Sequence, residues 1–151
     1  MLKLKAKDAE DVQVISAVLQ DAIVPLCDIA WQPEEKNFVM VTQRLCREAK
    51  DRRNLERVCC AVNLRGAKSV QTYGIDLTDR KRMLDLLMMI IEGPALHFVF
   101  AGDAQIRVKL ENWSMIIEDF GETWPAACEP CHDNKQLPDL TKPAKSANFR
   151  A

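Results

Sequence analysis

The segment from Ala95 to Gly121, ALHFVFAGDAQIRVKLENWSMIIEDFG, most narrows what this chain can fold into. From Ala104 to Glu111 apolar and polar residues alternate without a break: Ala104, Ile106, Val108 and Leu110 against Gln105, Arg107, Lys109 and Glu111. Successive side chains of a strand point to opposite faces, so this is a strand with one dry and one wet face. The run before it carries Leu96, Phe98 and Phe100 in step, with Gly102-Asp103 at the break. A two-residue turn would pair Phe98 with Arg107 and Phe100 with Gln105, setting both rings on the charged face. A loop of three or five residues shifts the pairing by one and aligns them with Ile106 and Val108. Burying a Phe is worth roughly 1.5–3 kcal/mol, so two of them outvote a slightly better turn and the odd-length loop is expected. Asn112 to Phe120 is read as a further strand that returns and closes the sheet.

A chain of 151 residues is expected to make one domain with a real core. The net charge of −1 leaves no field to attract nucleic acid or an anionic membrane, and neither partner is expected. The lysines of the first residues have no apolar segment behind them, so no signal peptide is expected. The longest uncharged run, Gly93 to Gly102, is ten residues and far too short for a membrane span. Six cysteines without a secretion signal read as free thiols, which points to the cytosol.

Along the chain, Leu2, Leu4 and Ala6 alternate with lysines as a short edge strand. Asp8 then looks like the cap of a helix over about residues 9–21, with Glu10 and Asp11 in its first turn and Val12, Ile15, Val18 and Leu19 on its buried face. Leu26 to Trp31 and Phe38 to Leu45 form a hairpin around a proline-containing loop. Residues 44–57 mix arginines and lysines with acids and read as a mobile charged loop. Val58 to Arg65 is a strand, Gly66 a turn, and Lys68 to Ile75 a second strand. Met83 to Glu92 fits either a helix or a strand buried on both sides; Gly93-Pro94 leading into the central hairpin favours the strand. Residues 1–122 are therefore read as the folded domain and 123–151, with four of the seven prolines, as a flexible tail.

The tail holds Cys128-Glu129-Pro130-Cys131-His132, the C-x-x-C-H pattern of covalent haem attachment. No export signal or second axial ligand accompanies it, and a zinc site would lack the second half of its usual spacing. Cys128, Cys131 and His132 are thus weak metal candidates, and no cofactor is expected. Asp119-Phe120-Gly121 matches the kinase triplet by accident, since no H-R-D or glycine-rich loop exists. No G-x-S-x-G elbow is present, and with two histidines acid–base work would fall to carboxylates such as Asp28, Asp76, Asp85, Glu118 and Asp119.

Several words along the chain resemble a known family. They are Asp8-Ala9-Glu10-Asp11, Ile15-Ser16-Ala17, Leu19-Gln20-Asp21-Ala22, Trp31 and Pro33 before Phe38, Gly74-Ile75-Asp76, Phe100-Ala101-Gly102 with Ile106-Arg107, and Glu118-Asp119 with Gly121-Glu122 and Trp124. They cover about Leu2 to Pro125, and on them the chain resembles an uncharacterised family of short alphaproteobacterial proteins, a domain of unknown function. It departs from that family's pattern at Asp103-Ala104, where more glycine is usual, and at Arg47, where an aromatic is usual. The resemblance implies a cytosolic bacterial protein and supplies no activity, cofactor or catalytic residue.

The expected fold is α+β: an N-terminal strand and helix, then an antiparallel meander of seven to eight strands as a bent sheet or partly closed barrel, then a disordered C-terminal tail. The expected function is a non-enzymatic binding or adaptor module that engages a protein partner through a strand edge or the groove beside the helix. The alternative is a ligand-binding or enzymatic barrel using carboxylates and Arg107 in its mouth, with Arg44, Asp76, Arg107 and Asp119 as binding residues. Metal binding by the tail is the third.

Overall fold

The computed structural model describes residues 1–48, 55–126, 145–146 and 149. Its elements are β1 (Lys3–Ala6), α1 (Ala9–Leu19), β2 (Ile23–Pro25), a 3-10 turn (Leu26–Asp28), β3 (Ile29–Gln32), β4 (Asn37–Leu45), β5 (Glu56–Tyr73), β6 (Met83–Glu92), β7 (Ala95–Phe100), β8 (Ala104–Pro125) and β9 (Lys145–Ser146). The strands pair in the order β8–β7–β6–β2–β4–β5, and β5 pairs again with β8, which closes a six-stranded antiparallel barrel. Outside that ring β1 lies on β8, β3 on β4 and β9 on β5.

The central hairpin turns through Ala101, Gly102 and Asp103, an odd loop, and pairs Phe100 with Ala104, Phe98 with Ile106 and Leu96 with Val108. All six side chains are buried, so burial of the rings set the register as argued from the sequence. Residues 83–92 form a strand, again as read. Asp8 caps α1 by accepting from the Asp11 N–H at 2.9 Å, a donor that the first turn leaves orphaned, and Asp11 accepts from the Lys7 N–H just ahead of the helix at 3.0 Å.

Three expectations change. Val58–Arg65 and Lys68–Ile75 are not separated by a turn: β5 runs 18 residues straight through Gly66. Nor does the chain return after Glu111, because β8 continues for 22 residues. The physical cause is a shared bend. Gly66 sits at φ 88°, and a Cβ there would lie 2.4 Å from the Glu111 carbonyl oxygen, so only glycine permits the approach. Opposite it, Asn112 takes φ 47°, and core-facing positions on β8 switch from Ala104, Ile106 and Val108 to Met115 and Ile117. An extra residue in a ladder bends the strand and flips its faces, which local reading mistakes for a strand end. Beyond the bend, β8 exchanges β7 for β1 as its neighbour while keeping β5 on the other side.

The third change is β2, three residues wedged between β6 and β4 that close the ring. Pro25 pairs with Met83 at the end of its ladder, where a missing N–H is tolerated. Past Asp85 the edge of β6 is free of β2, and α1 covers it, with Ser16 Oγ accepting from the Met89 N–H at 2.9 Å. Val12, Ile15 and Leu19 seal the barrel beneath the helix. Phe149 joins the same core, its ring 6.2 Å and edge-on from Phe38, which in turn lies 5.5 Å from Phe98.

Candidate functional site

Of the residues expected to bind a ligand, Arg44 and Asp119 come together, and they consume each other. Both project into the barrel: Arg44 continues the inward row Phe38, Met40, Thr42 of β4, and Asp119 the row Met115, Ile117 of β8. Arg44 reaches across β5 and donates from Nε and Nη2 to the two carboxyl oxygens at 2.7 and 2.5 Å. Its remaining donors go to Glu48, at 2.7 and 3.1 Å, and to the Leu45 carbonyl at 3.2 Å. All five guanidinium N–H groups are thereby used. Asp119 also accepts from the Leu2 N–H at 3.0 Å, which ties the N-terminal segment to the cluster. Burial works to raise the Asp119 carboxyl, but the Arg44 hydrogen bonds and the Leu2 N–H outweigh it and hold it below the ordinary range. Beside it the Cys60 thiol is pushed up to about 12 by burial and by the Asp119 charge, so it is an inert core thiol.

The segment expected to be a mobile charged loop is anchored at both ends. Arg44 belongs to β4 and Arg57 to β5. Arg47 pairs with Asp21 and donates to the Gln20 carbonyl at 2.7 Å; Arg57 donates to the Asp21 carbonyl at 3.3 Å and the Gln43 carbonyl at 2.8 Å. The last turn of α1 has no basic residue of its own, so arginines from the β4–β5 region supply the cation that its carbonyl end favours. Asp76 stands apart, exposed in the β5–β6 loop, where it accepts from the Thr78 N–H and hydroxyl. Asp28 is exposed beside Cys27.

Arg107 does not face a barrel mouth. It lies on the outer face of β8, opposite in phase to Ile106 and Val108, and its guanidinium carbon stands 5.0 Å from the centre of the Tyr73 ring. Two register rows of three strands meet there: Gln71, Arg107 and His97 in one, Tyr73, Gln105 and Val99 in the next. Tyr73, Gln105, His97 and Val99 are each less than a tenth exposed although they point away from the core. The Tyr73 hydroxyl and His97 Nδ1 have no hydrogen-bond partner among the described residues. Burial, then the Arg107 charge, holds the His97 imidazole below its usual range and so neutral.

Next to this array runs a groove of about 270 Å³ between α1 and the outer face of β6 and β7. Gln13, Ser16, Ala17 and Gln20 form its helical wall, Leu87, Met88 and Val99 its floor. Val99 belongs to both groove and array. The sequence signalled that His97 alternates out of phase with its phenylalanines, but nothing local announced that Tyr73, 24 positions earlier, would stand near it. No group of three or more His, Cys, Asp or Glu among the described residues is placed to hold a metal. Cys128, Cys131 and His132 lie outside the described residues. No helix among the described residues is long and apolar enough to cross a membrane.

A closed antiparallel barrel with one edge-covering helix and a lateral groove defines the class of this protein as α+β. Residues 2–132 match the family described as a protein of unknown function (DUF2948), and the chain belongs to that family. Neither a curated protein nor a solved structure was found to match it.

Proposed function

We propose that the protein is a non-enzymatic binding module of the bacterial cytosol whose ligand is a short extended peptide segment of a protein partner, seated in the groove along α1. The observation that carries this is the lining of the groove. None of Gln13, Ser16, Ala17, Gln20, Leu87, Met88 and Val99 is charged. The glutamines and serine both donate and accept, as a peptide backbone requires, and the floor is apolar, as a single anchoring side chain requires. From Gln13 to Gln20 the helix rises roughly 10 Å, the length of about three residues of extended chain. A neutral groove of that length suits a peptide better than a charged metabolite. The mutual saturation of Arg44 and Asp119 supports the same reading, because it removes from service the pair best suited to ionic chemistry. The free thiols at Cys27, Cys46, Cys59 and Cys60 support a reducing compartment.

Panning the immobilised protein against random peptides, displayed both internally and with free carboxyl ends, tests this. Enrichment of neutral sequences with one apolar anchor, lost in an Ala17→Trp variant that melts like the wild type, is the expected result. Absence of enrichment from either library, or binding indifferent to Ala17→Trp, overturns the reading. Ala17 is exposed, so the larger side chain fills the groove without disturbing the core.

A further inference from the structure

The geometry points to Ser16 as the residue that fixes the register of the bound peptide: its hydroxyl donates to the backbone carbonyl of the one peptide residue whose apolar side chain rests on Leu87 and Met88. The assignment rests on the groove reading and adds to it which atom of the ligand is read, and by which side chain. β6 is irregular where it floors the groove. Leu86 pairs with Phe100 and Met88 with Val99, so Leu87 is an extra residue in the ladder. Leu86 and Met89 on either side are buried in the core, whereas Leu87 and Met88 are both half-buried and both line the groove. In a regular strand two consecutive side chains point to opposite faces, and one of this pair would enter the barrel. The bulge re-aims both outward, which is why bulges recur beside functional sites.

The helix is fastened to the strand on both sides of the bulge. Before it, the Leu86 N–H donates to the Ala22 carbonyl at 2.9 Å, and the Leu86 carbonyl accepts from the Asp21 N–H at 2.7 Å. Past it, the Met89 N–H donates to Ser16 Oγ at 2.9 Å. Floor and wall are thus held in place before a ligand arrives, and binding costs little ordering of the groove. The Met89 bond also decides what Ser16 can do. A hydroxyl has one hydrogen and two acceptor positions. Met89 takes one acceptor position and fixes the oxygen, while the hydrogen has no acceptor among the described residues. Ser16 is half-buried on the groove wall, so this oriented donor is open to a ligand.

The chemistry of the ligand follows. An extended peptide points its side chains up and down and its N–H and carbonyl groups sideways. A residue whose apolar side chain lies down on Leu87, Met88 and Val99 turns its own carbonyl and N–H together toward the helical wall. The carbonyl there meets the Ser16 hydroxyl. A glutamine on the same helix face, Gln13 or Gln20 according to the direction in which the peptide runs, accepts from the N–H. The ligand is therefore defined by a carbonyl at one position as much as by the apolar side chain beneath it.

The experiment remakes a neutral peptide enriched by panning with each amide in turn replaced by an ester, which weakens one carbonyl as an acceptor and deletes the N–H that follows it. Calorimetry on the full chain is expected to show its largest loss of affinity, about tenfold, where the ester weakens the anchor residue's own carbonyl. Ser16→Ala is expected to weaken the parent peptide about tenfold and to make that ester cost nothing further. Ser16→Ala also strips the Met89 N–H of its acceptor and lowers Tm, so the readout is the coupling between variant and ester, which a merely structural role leaves unmoved. Equal tolerance of esters at every position, a largest loss at another carbonyl, or losses that simply add in Ser16→Ala overturn the role of Ser16 and leave the groove standing. If Ser16→Ala does not fold, the ester scan on the wild type decides alone. Absence of any enriched peptide, or binding indifferent to Ala17→Trp, is instead the failure of the groove reading.

Discussion

At the scale of single residues, the Arg44–Asp119 pair shows how much a side chain's surroundings decide. Its desolvation is large, and its hydrogen bonds are complete only while both partners remain. Asp119→Ala leaves a buried guanidinium half-paired and is expected to cost about 3 kcal/mol in urea unfolding. Arg44→Met with Asp119→Leu, which removes both charges, is expected to regain most of that loss. Glu48, with its side chain 62% exposed, contributes far less; Glu48→Ala is expected to cost under about 1 kcal/mol. The pH dependence follows from the sign of the Asp119 shift. A carboxyl held below its ordinary value takes up its proton more readily in the unfolded chain, so the stabilisation is complete above about pH 5 and is lost as pH falls through and below about 4. Urea midpoints measured at pH 6 and pH 3 are expected to drop steeply in the wild type and much less in the double variant. Arg44 and Asp119 were both legible as unusual in the sequence, a charge at the end of each apolar strand. That they meet, 75 positions apart in the chain, was not.

At the scale of elements, the bends in β5 and β8 carry the barrel. Long strands joined to the same partner over their whole length must bend to close a ring of six, and Gly66 against Glu111 and Trp113 is where they do so. Gly66→Ala combines a positive φ with a Cβ driven into backbone and is expected to cost about 3 kcal/mol or more. Gly102 in the central hairpin has a similar φ of 79° but open space where a Cβ would stand, so Gly102→Ala is expected to cost only about 1 kcal/mol. Thermal unfolding of the two variants side by side separates conformation from close approach. The sequence marked Gly66 as a place where the chain changes, and local rules read glycine between two strands as a turn. Whether it is a turn or a bulge depends on the strand lying opposite, which is 45 positions away at Glu111.

At the scale of the whole molecule, closure depends on small pieces. β2 contributes three residues and touches β4 at one register pair, Ile23 with Gln43, so α1 and the Asp21–Arg47–Arg57 contacts hold the weakest seam. Phe149 fills the core against Phe38 from the far end of the chain. Phe149→Ala is expected to lower stability by about 3 kcal/mol in chemical denaturation, whereas Phe120→Ala, at a ring 45% exposed, is expected to change it by under about 0.5 kcal/mol. An unchanged midpoint in the Phe149 variant would show that the barrel closes without it.

The sequence alone determined the central hairpin with its odd loop and the capped helix, because each is decided within a short window by which side chains must leave water; for Met83 to Glu92 it favoured a strand over a helix, and the pairing with β7 and β2 decided it. Only the tertiary structure decided that β5 and β8 run unbroken, that β2 closes the ring, that Arg44 finds Asp119, and that α1 leaves a groove ending beside His97 and Arg107. Ladder hydrogen bonds and buried ion pairs link residues far apart in the chain. A bulge that satisfies them leaves in the local pattern no more than a change of phase.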